Sequence, residues 1–338
     1  MHRVGIVGAS GYAGAELMRL CAMHPHLEVV FATGDTQAGT PIADLYPSLA
    51  PAYAGVDFTP FSTDLADGVD LVFTALPHGK SQHLAADLLS RGCALVDLAA
   101  DFRLTDPAVY ERWYGEAHTA PDLLSRFTYG LPEHHREAVA KADAVAAPGC
   151  YPTAATLGLA PLVSAGVVEA SGMVVDAASG VSGAGRAATH ATHFGTVDEN
   201  FTAYGLLDHR HTPEMEQAIG GTVLFTPHLA PMTRGILASC YARPARATST
   251  ADLLDTLGAA YEGEPFVVVG PTSPSTKATW GSNAAHLTAR YDERTGWVLV
   301  LVALDNLVKG AAGQAVQCAN LVLGLDEAAG LSAIGIYP

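Results

Sequence analysis

The chain has 338 residues, 49% of them hydrophobic and 15% charged. That suits two packed domains and excludes a disordered chain. Only 18 basic residues stand against 34 acidic ones, a formal charge of −16, so neither nucleic acid nor an anionic membrane is expected as a partner. The five cysteines, at 21, 93, 150, 240 and 318, are scattered and contain no Cys-x-x-Cys pair. Free thiols in a reducing cytoplasm are therefore expected rather than a disulfide framework. Met1-His2-Arg3 runs straight into Val4-Gly5-Ile6-Val7 without a signal-peptide core. Residues 144–168 carry no charge, but Pro148, Pro152 and Pro161 interrupt them. Strand, turn and helix are expected there, not a membrane span. The expected location is the cytoplasm.

Val4–Val7 predicts a short buried strand. Gly8-Ala9-Ser10-Gly11-Tyr12-Ala13-Gly14 predicts a glycine turn, and a helix follows to about Met23 with Ala13, Leu17, Leu20 and Cys21 on one face. The glycines let the backbone approach a pyrophosphate, and the helix N-terminus receives its charge. The spacing is Gly-x-x-Gly-x-x-Gly. Leu27–Ala32 predicts the second strand, ending in Thr33-Gly34-Asp35-Thr36-Gln37. Thr33 and Thr36 can hydrogen-bond a 2′-phosphate while Asp35 opposes one, so this stretch leaves NADP and NAD both open. Asp70–Ala75 and Ala94–Ala99 predict further strands around a helix from about Ser81 to Ser90. This alternation predicts a doubly wound parallel sheet. Leu76-Pro77-His78-Gly79-Lys80 leaves the carboxyl end of a strand, where such sheets bind ligands. His78 and Lys80 are read as phosphate contacts or as solvated loop residues, and Arg103 as an anion ligand or a surface ion pair.

Ala144–Ala147 predicts a strand that runs through Pro148-Gly149 to Cys150, with Pro152 opening a helix to about Leu162. Cys150 then faces unpaired N–H groups and the positive end of the dipole, which favours the thiolate. Beyond it the alternation stops. Met173–Ala178, Thr222–Phe225, Gly235–Ala242 and Phe266–Val269 predict strands, and Ala285–Tyr291 with Trp297–Leu304 a hairpin. With a helix at Ala251–Tyr261, this is an α+β unit with a largely antiparallel sheet. A last helix, about Ala312 to Leu323, is expected to return to the first domain. The expected fold class is α/β: a Rossmann-type domain, 1–148 with 309–338, and an α+β domain, 149–308.

Two further stretches carry chemistry. Ser179-Gly180-Val181-Ser182-Gly183-Ala184-Gly185-Arg186 offers backbone amides for an anion or a nicotinamide, with Arg186 as a bidentate clamp on carboxylate or phosphate. His209-Arg210-His211-Thr212-Pro213-Glu214 supplies the base that a nucleophilic cysteine needs, with Glu214 three residues beyond His211 to orient that ring. His190-x-x-His193 and His209-x-His211 hold imidazoles, but no cysteine or carboxylate at ligand spacing completes a metal site. No metal is expected.

The glycine turn, Pro-Gly-Cys-Tyr-Pro-Thr (148–153), Ser-Gly-x-Ser-Gly-Ala-Gly-Arg (179–186) and His-Arg-His-Thr-Pro-Glu (209–214) together resemble the N-acetyl-γ-glutamyl-phosphate reductases, within the semialdehyde-dehydrogenase group. The resemblance runs end to end, through Ser282–His286 to Asp305–Gly310. It implies Cys150 as the thiolate nucleophile, His211 as its acid/base partner and His209 close by. It implies NADP as cofactor, bound by Gly8, Ser10, Gly11, Tyr12, Ala13 and Gly14, by Pro77 in the Leu76–Gly79 loop, and by Ser182, Gly183 and Asn306. Thr33 and Thr36 join that set from the reading above. Arg103, Arg186 and Tyr204 match positions that hold the phosphate and carboxylate of a small acyl-phosphate substrate. A homodimer or homotetramer is implied as well. Three residues depart from the family pattern: Gly205 where asparagine is expected after tyrosine, Lys80 where histidine is common, and Asp35. A sister enzyme on another acyl phosphate, a nonphosphorylating aldehyde dehydrogenase and a nonenzymatic NADP sensor are the competing readings.

Overall fold

The apolar runs of the first half pair into one sheet. The computed structural model describes all 338 residues, which fall into two units, Met1–Pro148 with Ala311–Leu331 and Gly149–Gly310 with Ser332–Pro338. In the first, β1 (His2–Val7), β2 (Leu27–Ala32), β3 (Leu71–Thr74), β4 (Ala94–Asp97), β5 (Thr128–Tyr129) and β6 (Ala144–Ala146) lie in the order β2-β1-β3-β4-β6-β5. Every neighbouring pair is parallel. Parallel strands are covered on both faces and so read as unbroken apolar runs; β3 is buried at all four of its residues. One face packs Val4, Ile6, Phe73 and Val96 with Leu17 and Val316, and the other packs Val7, Val72 and Leu95 with Leu88 and Phe127. The order reverses between β1 and β3, so the glycine turn after β1 and the Leu76–Lys80 loop after β3 flank the switch point of the sheet.

The predicted helix from Ser81 is broken. A 3₁₀ turn, Ser81–His83, precedes the helix Ala85–Ser90. The Ser81 hydroxyl and the Gln82 amide are both drawn onto the buried Asp101 carboxylate, which draws that turn out of helical geometry. Several helices were not anticipated, the longest being Pro107–Tyr114 and Pro132–Val139. The first carries a signal that could have found it, because Asp106 caps it by accepting from Ala108 N.

In the second unit β7 (Met173–Gly180), β8 (Thr202–Ala203), β9 (Val223–Ala230), β10 (Ile236–Ala242), β11 (Val267–Val269), β12 (Ala285–Asp292) and β13 (Trp297–Leu304) form a sheet ordered β11-β12-β13-β10-β7-β9-β8. Its pairs are antiparallel except β7 with β9 and β11 with β12. The helix Cys150–Ser164 covers one face, with Gly158 set against Val300 and Val302. Of the stretch 309–338 expected in the first domain, Lys309, Gly310 and Ser332–Pro338 group with the second unit. The tail is bound there by backbone: Asn283 N donates to Ser332 O and Ile336 N to Trp280 O. No helix is long and apolar enough to cross a membrane.

Candidate active site

Cys150 is the first residue of the helix Cys150–Ser164, two positions ahead of the proline expected to open it. Its cap, Gly149, is extended and supplies no side chain, and the first turn holds no acid. The positive end of the helix is therefore left to the thiol. Cys150 is partly exposed, whereas the other four cysteines are buried. Burial pushes the Cys21 thiol up to about 12, and Cys240, likewise buried, up to about 12, which keeps both protonated and inert. The backbone around Cys150 is closely fitted. Thr153 N and Oγ1 both donate to Gly149 O at 2.9 Å, and a Cβ on Gly310 would lie 2.8 Å from Cys150 Cβ.

Aromatic rings crowd the next residue. Tyr151 packs edge-on to His209 at 5.8 Å and to His211 at 5.9 Å between ring centres, and the two imidazoles are 4.9 Å apart. Phe225 closes the cluster against Tyr151 and His209. His209 Nδ1 accepts from His211 N at 3.2 Å, so in the neutral ring Nε2 carries the proton. Burial, reinforced by the Arg210 charge, brings the His209 pKa down to about 4. At neutral pH His209 is thus a neutral donor through Nε2, and its lone pair is already used. His211 is the N-cap of the helix Thr212–Ile219. Glu214, expected to orient the His211 ring, is buried and accepts from Gly149 N at 2.8 Å. It ties the histidine helix to the turn before the cysteine.

Tyr204 stands 3.1 Å from Tyr151 Oη, hydroxyl to hydroxyl, and remains 38% exposed. Gly205 has φ +53, and a Cβ there would meet His209 Cδ2 at 3.1 Å. That left-handed conformation is one that glycine and asparagine share, which accounts for glycine where asparagine was expected. Asn306 accepts from Gly235 N at 2.7 Å and donates to Ser182 Oγ at 3.0 Å, so it stitches two loops together. Gly183 lies beside them, where a Cβ would press on Ser179 Oγ. Arg186 is half-buried after Gly185, whose φ is +85.

The nucleotide candidates lie in the first unit, except Ser182, Gly183 and Asn306. Gly8 has φ +85 and a Cβ on it would sit 2.5 Å from Ala75 O; one on Gly14 would sit 2.5 Å from Ala9 Cα. Both positions tolerate only glycine. At Gly11 the nearest heavy atom is 3.6 Å away, and Gly11 caps the helix Tyr12–Met23 with no side chain and no acid in its first turn. This is a cradle for an anion, and it fits a dinucleotide pyrophosphate. Thr33 is buried and accepts from Gly8 N at 3.1 Å, and Ser10 Oγ donates to Gly34 O; both lace the turn to the end of β2. Thr36 and Pro77 are exposed, and Tyr12 and Ala13 half-buried. Arg103 is not a surface ion pair. It is 8% exposed and donates to Ala147 O at 2.8 Å and Leu98 O at 2.6 Å, bracing the strand end that leads to Cys150. No group of three histidine, cysteine, aspartate or glutamate side chains is placed to hold a metal ion.

Two family descriptions match the chain: semialdehyde dehydrogenase, NAD binding domain, over residues 3–142, and semialdehyde dehydrogenase, dimerisation domain, over 150–306. The N-acetyl-γ-glutamyl-phosphate reductase of Desulforudis audaxviator is 51% identical over the whole of both chains. The chain belongs to the N-acetyl-γ-glutamyl-phosphate reductase family. The reductase of Pseudomonas syringae pv. syringae is 45% identical, again over all of both chains. Among solved structures, aspartate semialdehyde dehydrogenase II of Vibrio cholerae, complexed with ASA, superposes with a TM-score of 0.73 at 18% identity, covering 96% of this chain and 98% of that one. The Candida albicans aspartate semialdehyde dehydrogenase with NADP gives 0.66 at 15% identity, covering 96% and 98%. At such identity these neighbours share the fold with the reductase family, a sheet-switch α/β domain joined to a mostly antiparallel one.

Proposed function

We propose that the chain reduces N-acetyl-γ-glutamyl phosphate to N-acetylglutamate semialdehyde with NADPH, releasing phosphate, in arginine biosynthesis. The observation that carries this is the single accessible cysteine, Cys150, on an uncapped helix N-terminus, with two imidazoles packed on the ring of the adjoining Tyr151. As Cys150 Sγ attacks the acyl carbon, His211 takes the thiol proton and the C–O bond to phosphate breaks, leaving a thioester on Cys150; the proton departs with phosphate. The glycine cradle at Gly8–Gly14, with Thr33, Thr36, Pro77, Ser182, Gly183 and Asn306, holds NADPH. NADPH when bound supplies the hydride that brings the thioester to the aldehyde level. Cys150 leaves as thiolate, and His211 relays to it a proton taken up from solvent. His209, neutral and with its proton on Nε2, donates a hydrogen bond and does not act as the base. Arg186 and Tyr204 hold the substrate's anionic groups. Arg103, beside the strand end that leads to Cys150, is the third candidate for those groups.

The test is NADP reduction run in the reverse direction with N-acetylglutamate semialdehyde, with and without phosphate, for the wild type and Cys150→Ala. Phosphate-dependent turnover that is lost in the variant, with NADPH affinity kept, supports the proposal. Turnover that does not need phosphate sinks it, and turnover with aspartate semialdehyde alone moves the same chemistry to a sister pathway.

The same reading includes a cytoplasmic homodimer or homotetramer. Leu224, Val174, Tyr241 and Leu299 are paired in register across four strands and stay partly or fully exposed, while their neighbours Phe225, Val175, Cys240 and Val300 are buried. An apolar sheet face of this kind suits a second copy, and sedimentation equilibrium reads the outcome.

A further inference from the structure

Beneath the Leu76–Gln82 loop lie two fully buried carboxyl groups, Asp97 at the end of β4 and Asp101 in the turn that follows. Asp101 is filled by donors. Its Oδ1 accepts from Gly79 N at 2.6 Å and Tyr110 Oη at 3.3 Å, and its Oδ2 from Gln82 N at 3.1 Å and Ser81 Oγ at 2.9 Å. Four donors suit a carboxylate. Asp97 Oδ1 accepts from Thr74 Oγ1 at 2.6 Å and Ala99 N at 3.1 Å. Its other oxygen, Oδ2, faces the same Ser81 hydroxyl at 3.0 Å.

The serine is thus within hydrogen-bond reach of two carboxyl oxygens and has one proton to give. If both acids were ionised, one contact would set lone pair against lone pair in a site closed to water, a costly arrangement. A proton on Asp97 Oδ2 removes the conflict. Asp97 then donates to Ser81, and Ser81 donates to Asp101, so every polar atom of the bridge is matched. We infer that Asp97, Ser81 and Asp101 share one exchangeable proton and act together as positioning residues for the Leu76–Gln82 loop, which loosens when that proton leaves. Its consequence for cofactor affinity rests on the proposed role of Pro77 in that loop.

The surroundings agree. Burial pushes the Asp97 carboxyl up to about 6, and the Asp101 charge adds to this while the donors Thr74, Ala99 and Ser81 oppose it. Other charged and titratable groups pack around the bridge. Arg103 turns its Nε and Nη2 to carbonyls of Ala147 and Leu98. His118 puts Nε2 on the Asp101 carbonyl and accepts from Ala120 N through Nδ1, and burial lowers its pKa while Asp101 opposes this. Tyr110, whose hydroxyl burial and Asp101 keep protonated, adds a donor to Asp101. Glu116 lies beside Gly79, and His78 and Lys80 are exposed. The sign follows: the proton is held below about pH 6 and lost above it, so the loop is latched on the acid side.

Hydrogen exchange of the full chain reads the latch, because Gly79 and Gln82 both donate to Asp101 through their amides. Corrected for intrinsic rates, their protection is expected to fall roughly tenfold between about pH 5 and about pH 8. Over the same range an infrared titration loses a protonated-carboxyl band. Asp97→Asn still donates to Ser81 but does not titrate, so it lacks the band and its protection is flat with pH. Ser81→Ala is unlatched throughout. Flat protection in the wild type, or a carboxyl band that persists unchanged in Asp97→Asn, overturns the inference. Should Asp97→Asn fail to fold, the wild-type titration and Ser81→Ala still decide it. NADPH affinity measured across the same range should weaken together with protection. Protection that shifts while affinity does not overturns the consequence for the cofactor and leaves the shared proton standing.

Discussion

Gly310 offers a test of how closely the nucleophile is held. A methyl group there would lie 2.8 Å from Cys150 Cβ, 3.2 Å from Cys150 Cα and 3.3 Å from Asp305 O. Carbon–carbon contacts settle at about 3.5 Å or more, so Gly310→Ala must part the two backbones by roughly 0.7 Å. An added methyl in a packed site costs roughly 1–3 kcal/mol of stability. Misplacement of a reacting group by about 1 Å costs on the order of a hundredfold in rate. Gly310→Ala is therefore expected to lower kcat by roughly ten- to a hundredfold with KM for NADP little changed, and to slow iodoacetamide alkylation of Cys150. Gly158→Ala is the control. It lies in the same helix, and its methyl would meet Val302 Cγ2 at 2.9 Å, so it should lower Tm while folded enzyme keeps its kcat. Wild-type turnover and alkylation in Gly310→Ala, with Tm lowered as in the control, would refute the claim that this contact sets the position of the thiol.

His211→Ala should slow thiol alkylation near neutral pH and raise the apparent thiol pKa, read from alkylation rates across pH; an unchanged profile hands the base role to His209. The depressed pKa of His209, down to about 4, makes its neutral form the one that folds. Its stability contribution is whole above about pH 6.5 and is lost as pH falls towards about 4. His209→Gln should flatten that part of a denaturation-versus-pH curve, and an unaltered acid limb would show that the ring is not held neutral.

Local signals carried well from sequence to structure. The Gly8–Gly14 turn, Leu27–Ala32 and the Asp292–Gly296 hairpin turn announce themselves through glycines and apolar runs a few residues long, and they sit where those signals place them. What stayed hidden depends on partners far apart in the chain. Sequence spacing points Glu214 at the nearby His211, while its carboxylate accepts from Gly149 N, 65 positions away. The helix at Ser81 breaks because Asp101 is 20 positions further on. The π-turn Val308–Ala312 was missed because it hangs on Asp305, which accepts from Leu307 N, Val308 N and Gly281 N. Two-residue strands such as Thr128–Tyr129 have no periodicity to detect.

The place of the helix Gly313–Val322 bears on how the molecule is made. Ala312, Ala315, Val316 and Cys318 complete the core that Val4, Ile6, Phe73 and Val96 begin, yet the whole of Gly149–Gly310 intervenes. On the ribosome the six-stranded sheet emerges long before its cover. Its apolar face then waits in water while the second unit is synthesised, and Asn283 in turn waits for Ser332. Neither half can finish folding in the order in which it is born, so the nascent chain is most prone to aggregate late in its translation.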